Sequence, residues 1–276
     1  MAITFALVNA KGGVGKTSTC YHLGGVLAKA GRRVLLVDND PQASLTQGLW
    51  GPEAMRATPR TASVAALYDA DLEPIPEALI RPAGFEGLWL VPGSEHLTRS
   101  NQLPPETWAP SQDGLRAFLA EACDAFGFDV VLIDCAPNIH LCSWAALVAA
   151  AGVVVPLQAE DFGSQGLAPI QAAVAAAQHQ ANPALRLAGY LITMYDKRLA
   201  IHHAYESRLR TLYGPDVFEH TFPLAKDYKE AVAARQPISH YKPRSAAAKA
   251  VQAIADELLD RGRSIVEAGQ GRRDVA

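Results

Sequence analysis

The sequence predicts an α/β protein with a doubly wound, mostly parallel sheet and helices on both faces. Three observations lead there. Strand-like and helical patterns alternate along the chain. Several strand-like runs are continuously apolar, such as Val34-Leu35-Leu36-Val37 and Val130-Val131-Leu132-Ile133, as strands covered on both faces require. Two of these runs close on an acid, Asp38 and Asp134, and open parallel sheets gather their chemistry beyond the carboxyl ends of their strands.

Taken in order, strands are expected at Ile3–Asn9, Arg33–Asp38, Leu88–Pro92, Asp129–Asp134, Gly152–Pro156 and Leu185–Thr193, with a short one at Val217–His220. Helical patterns fall at 16–30, 112–126, 140–151, 163–181, 199–213 and 227–234. A strong last helix is expected at 245–263, with Pro243 ahead of it and Ser245 as its cap. The stretch 51–112, rich in Pro and Ala, is the least regular. The expectation is a single domain over 1–263 and a flexible tail over 264–276.

Composition narrows the class. With 276 residues, 49% of them hydrophobic, the chain can bury a large core. Its longest apolar stretch, Trp144 to Leu157, is too short to span a bilayer and ends as a buried strand. The first residues lead straight into a core strand rather than a secretion signal. Cys20, Cys123, Cys135 and Cys142 are scattered without a C-x-x-C pair, which suits reduced thiols in the cytoplasm. The net charge is -3, yet residues 196–250 hold ten Lys/Arg against six Asp/Glu. Such local clustering can meet a polyanion even when the total is acidic.

The most specific pattern is Lys11-Gly12-Gly13-Val14-Gly15-Lys16-Thr17-Ser18, placed between the first strand and the first helix. Glycines let a backbone approach a polyphosphate closely, and the following helix turns its N-terminus toward the anion. In such a loop Lys16 reaches the β- and γ-phosphates of ATP and the Thr17 hydroxyl ligates Mg²⁺. Ala10 stands where the ordinary phosphate loop has its first glycine. Asp134, closing a four-residue apolar run, fits a Walker B carboxylate that holds Mg²⁺ directly or through water.

The loop resembles the deviant Walker A motif of the ParA/MinD superfamily of P-loop ATPases. The resemblance implies that Lys11 crosses a dimer interface to phosphates held by the other subunit, so that two copies close over ATP. Asp38-Asn39-Asp40-Pro41-Gln42 resembles the family's Asp-x-Asp-Pro-Gln. That implies a supporting role for Asp38, while Asp40 sits near the γ-phosphate, positions or activates the attacking water, and joins Thr17 and Asp134 at the Mg²⁺. Val155 to Phe162 with Gly166-Leu167, Thr193 to Arg198, and Gln236-Pro237-Ile238 with Tyr241, Pro243, Ser245 and Ala248 continue the resemblance. The last of these favours the short partition branch, without an N-terminal helix-turn-helix. By position, Met194 and Pro223 should lie near the adenine.

The partition branch binds DNA nonspecifically in the ATP state and positions a cargo: a plasmid, a chromosome origin or a protein compartment. A cargo-bound partner protein stimulates hydrolysis. The expected setting is cytoplasmic and nucleoid-associated, with no membrane. Lys197, Arg198, Lys226, Lys229, Lys242 and Arg244 are the candidate DNA contacts. The family's Pro-Arg-Asn-x-Arg is here Pro223-Leu224-Ala225-Lys226-Asp227, which removes two usual arginines and leaves Lys226 and Lys229 as substitutes. Two other classes compete. A MinD-like membrane-surface ATPase needs a C-terminal amphipathic helix, and Arg263 to Gly269 is short and poor in bulky apolar residues. An iron–sulfur carrier needs a bridging cysteine pair, and no cysteine lies in a matching motif.

Overall fold

The computed structural model describes residues 2–103, 111–159 and 167–273, and the side chains as far as residue 268. Glu160, Asp161, Phe162 and Gly166 of the family pattern lie outside these residues, as do the last three residues of the expected tail. Seven strands form one sheet in the order β3-β4-β2-β5-β1-β6-β7. They are β1 (Ile3–Leu7), β2 (Val34–Asn39), β3 (Arg81–Phe85), β4 (Leu88–Val91), β5 (Val130–Cys135), β6 (Gly152–Gln158) and β7 (Arg186–Thr193). All neighbouring pairs are parallel except β3–β4.

The apolar runs divide between two cores because successive side chains leave opposite faces of a strand. Phe5, Leu7, Leu36 and Leu132 pack under Leu23 and Leu27 of the first helix (Lys16–Lys29) and under Val251, Ile254 and Leu258 of the last. Ala6, Val37, Val131 and Ile133 pack on the other face with Leu115, Leu119, Leu147 and Ile170. The first helix sits very close to its surroundings. A Cβ on Gly25 would stand 2.1 Å from Pro237 Cβ, so only glycine fits there.

The structure departs from the sequence expectation at several places, among them a helix at Ser44–Trp50 where none is expected. An antiparallel edge strand, β3, lies inside the stretch read as irregular. Its sequence, Arg-Pro-Ala-Gly-Phe, contains two residues that usually break strands, and an edge position tolerates them. Val217–His220 forms no strand but a single bridge from Val217 to Tyr190. The last helix, Ala246–Arg273, continues ten residues past 263, through the segment expected to be flexible.

Candidate active site

The phosphate loop leaves β1 and enters the first helix through Gly15, whose φ of 87° is left-handed. L-residues with a Cβ rarely adopt that conformation. The loop is pinned at both ends. Asn9, buried, donates from Nδ2 to the Pro156 carbonyl at 2.7 Å and accepts the Lys11 N–H at 2.9 Å. Thr193, at the end of β7, donates its hydroxyl to the Val14 carbonyl at 2.8 Å. Val14 turns its side chain inward, so its backbone alone faces the loop.

Lys16 is buried, and its ammonium donates to the carbonyls of Asn9 at 3.0 Å and Lys11 at 2.9 Å. Burial lowers its pKa, while the nearby Asp134 charge pulls the other way. These two carbonyls hold the cation in place of a phosphate. Lys11 itself is exposed at the start of the loop.

The acids come from the strand register. Asp38 and Asp134 are paired across β2 and β5, and Leu7 is paired with Asp134 across β1. Side chains paired this way share a face, here the one covered by the first helix, and a one-residue slip would turn one of them away. Asp134 is fully buried, and neither of its carboxylate oxygens is within hydrogen-bond geometry of a partner among the described residues. Burial, then repulsion from Asp38, raises its pKa well above the carboxylate range; Thr17 and Lys16 oppose this. Asp38 accepts the Thr46 N–H at 2.8 Å and the Thr46 hydroxyl at 2.6 Å on one oxygen. Burial raises its pKa too. Asp40 is also buried, and its Oδ1 accepts the Gln42 N–H at 2.9 Å.

Gly12, Gly13, Gly15, Lys16, Thr17 and Ser18 line one side of a cleft of about 300 Å³, with Asp40, Gln42, Ser44 and Pro137 completing it. The cleft thus joins backbone donors, one buried cation, hydroxyls and one acid just past a strand end, Asp40. An orphaned, buried Asp134 carboxylate beside Thr17 fits a hard divalent cation, since hard cations take oxygen ligands.

At the same end of the sheet Pro223 is bridged to Tyr195, the residue after Met194. Tyr195 donates its N–H to Phe222 O at 3.1 Å, and Leu224 donates to Tyr195 O at 2.9 Å, so Pro223 runs beside Tyr195. The candidate DNA contacts fall on three segments, 197–198, 226–229 and 242–244, and are unequal. Lys226 and Lys229 are exposed on the helix Lys226–Ala233. Lys242 donates to Asp227 and Glu230 of that helix, both at 2.7 Å. Arg198 forks onto Asp196 at 2.9 and 2.7 Å. Arg244 and Lys197 are exposed. Sequence reading missed Asn9, Thr46 and Thr193. A polar residue closing an apolar strand is a signal that could have found Asn9 and Thr193.

Residues 2–187 match a family model described as an AAA domain. The chain is 37% identical over 256 residues to the chromosome-partitioning ATPase Soj of Thermus thermophilus, covering 93% of this chain and 95% of that one. It is 32% identical to the chromosome partitioning protein ParA of Caulobacter vibrioides, with 94% of each covered. A solved structure, cobyrinic acid a,c-diamide synthase from Mycobacterium smegmatis with bound ADP and magnesium, is 31% identical over 96% of both chains, with a TM-score of 0.78. The chain belongs to the ParA/MinD superfamily of P-loop ATPases.

Proposed function

We propose that this protein binds ATP with Mg²⁺ in the cleft between the phosphate loop and Asp40, pairs with a second copy in that state, and hydrolyses ATP to position a cargo on DNA. The observation that carries this reading is the loop itself: Lys16 is held by two carbonyls at the place where a phosphate competes for it, and Asp134 beside it is fully buried in a site it shares with Asp38 and Asp40, more negative charge than Lys16 alone offsets. Thr17 and Asp134 would hold Mg²⁺, which neutralises phosphate charge when bound. Backbone donors of residues 12–18 orient the phosphates, and Asp40 orients the water that attacks. Lys11 reaches the partner copy's phosphates, where exclusion of water strengthens the attraction.

Light scattering tests this. The mass should double with a non-hydrolysable ATP analogue and stay monomeric without nucleotide or with ADP; one mass in all three states would remove the pairing switch. A Lys11→Ala variant should still bind ATP and lose the rise in hydrolysis that accompanies pairing.

Pairing joins two weak basic patches into one footprint, a gain from linked contacts. A single patch would bind DNA at about 10⁻⁴–10⁻⁶ M at physiological salt. Lys226 and Lys229 carry this surface on our reading, because both are exposed on one helix and Lys226 stands 3.6 Å from Glu230, a looser pairing than the 2.7 Å contacts that hold Lys242 and Arg198 to carboxylates. Lys226→Glu with Lys229→Glu should weaken DNA binding and flatten the plot of log affinity against log salt by about one unit per lost phosphate contact. An unchanged slope would take both lysines out of the footprint. A cargo-bound protein that accelerates hydrolysis completes the proposed cycle.

A further inference from the structure

The phosphate loop and the basic helix Lys226–Ala233 are joined by a short run of hydrogen bonds through the end of β7. Thr193, 1% exposed, donates to Val14 O across 179 residues of sequence. Its Cβ lies 3.6 Å from where a Cβ on Gly15 would stand, so it packs against the turn into the first helix. The next residue, Met194, has a φ of 52°, a left-handed conformation uncommon outside glycine. Tyr195 follows and is bonded on both sides of Pro223, to Phe222 O and from Leu224 N. Three residues past Pro223 the helix begins with Lys226.

The Val14 carbonyl and the Gly15 N–H belong to one planar trans peptide, so they point in opposite directions. By holding the carbonyl, Thr193 aims that N–H away from itself. A phosphate that draws Lys16 off the carbonyls of Asn9 and Lys11 changes the loop at both neighbouring peptides. The Thr193 bond is the direct side-chain link by which that change reaches β7, and the strained Met194 is the joint beyond it.

We propose that Thr193 is a positioning residue that couples nucleotide at the phosphate loop to the DNA-facing helix Lys226–Ala233. This rests on the DNA-binding reading above. It makes Thr193 a determinant of how far DNA affinity differs between the ATP and ADP states.

The test measures binding of a random-sequence DNA duplex by fluorescence anisotropy, with a non-hydrolysable ATP analogue and with ADP, alongside nucleotide affinity. It compares the native chain with Thr193→Val, Thr193→Ala and Thr193→Ser. The coupling between two sites commonly amounts to about 5–150-fold. Thr193→Val and Thr193→Ala should cut the ATP-to-ADP ratio of DNA affinities by about fivefold or more, Thr193→Ser should keep it, and nucleotide affinity should change by less than the ratio does. The inference is overturned if both hydroxyl-free variants keep the native ratio. It is equally overturned if nucleotide affinity falls by as much as the ratio, because Thr193 is then only a brace for the loop. If the native chain itself binds DNA equally in both states, the DNA-switch reading fails first and this inference falls with it.

Discussion

An Asp40→Ala variant is expected to bind ATP, pair and stay on DNA, while its hydrolysis falls by about 10²–10⁴-fold, the usual contribution of a positioned general base. The reasoning is electrostatic and geometric. Asp40 borders the cleft but is not one of its phosphate-facing donors. Deleting an anion beside a polyphosphate does not weaken the polyphosphate's binding. The Gln42 N–H fixes the aim of one carboxylate oxygen, so the group is held rather than mobile. Single-turnover phosphate release, measured beside nucleotide titration, separates the two effects. Near-native turnover would end the assignment of Asp40.

Lys16→Ala carries the second large effect, and it acts on both states. With nucleotide, it removes the cation from a buried charge pair, a loss of about 2–5 kcal/mol. That corresponds to an affinity drop of roughly thirtyfold to a few thousandfold. Without nucleotide, it leaves the carbonyl of buried Asn9 without the ammonium it accepts from, and an unsatisfied buried acceptor costs about 1–3 kcal/mol. The variant should therefore melt lower even before ATP is added. Titration with a fluorescent ATP analogue and a melting curve of the free protein check the two halves. Native affinity in the titration would mean that the phosphates are held without Lys16.

Most of the sheet could be read from sequence because its strands are unbroken apolar runs, a pattern with little ambiguity once helices separate them. The phosphate loop was legible for a different reason. Its glycines, lysines and threonine are consecutive, so no tertiary information is needed to assemble them. The strand β3 was not legible, since Pro82 and Gly84 contradict local strand preference and only pairing with β4 overrides it. The last helix was under-read, because the pattern weakens past Arg263 although the helix continues to Arg273. Contacts between distant segments were hidden altogether. The bonds from Lys242 to Asp227 and Glu230 depend on how a loop folds back over a helix. Sequence counts six candidate cations; the structure pairs three of them, Arg198, Lys226 and Lys242, with carboxylates.

The edge formed by β3 has a consequence of its own. Pro82 has no N–H to offer a further strand, and Arg81 on the same strand is exposed and charged. Both features discourage another chain from adding to that border of the sheet. Copies of the chain at high local concentration are thereby kept from zipping edge to edge into fibrils through that border.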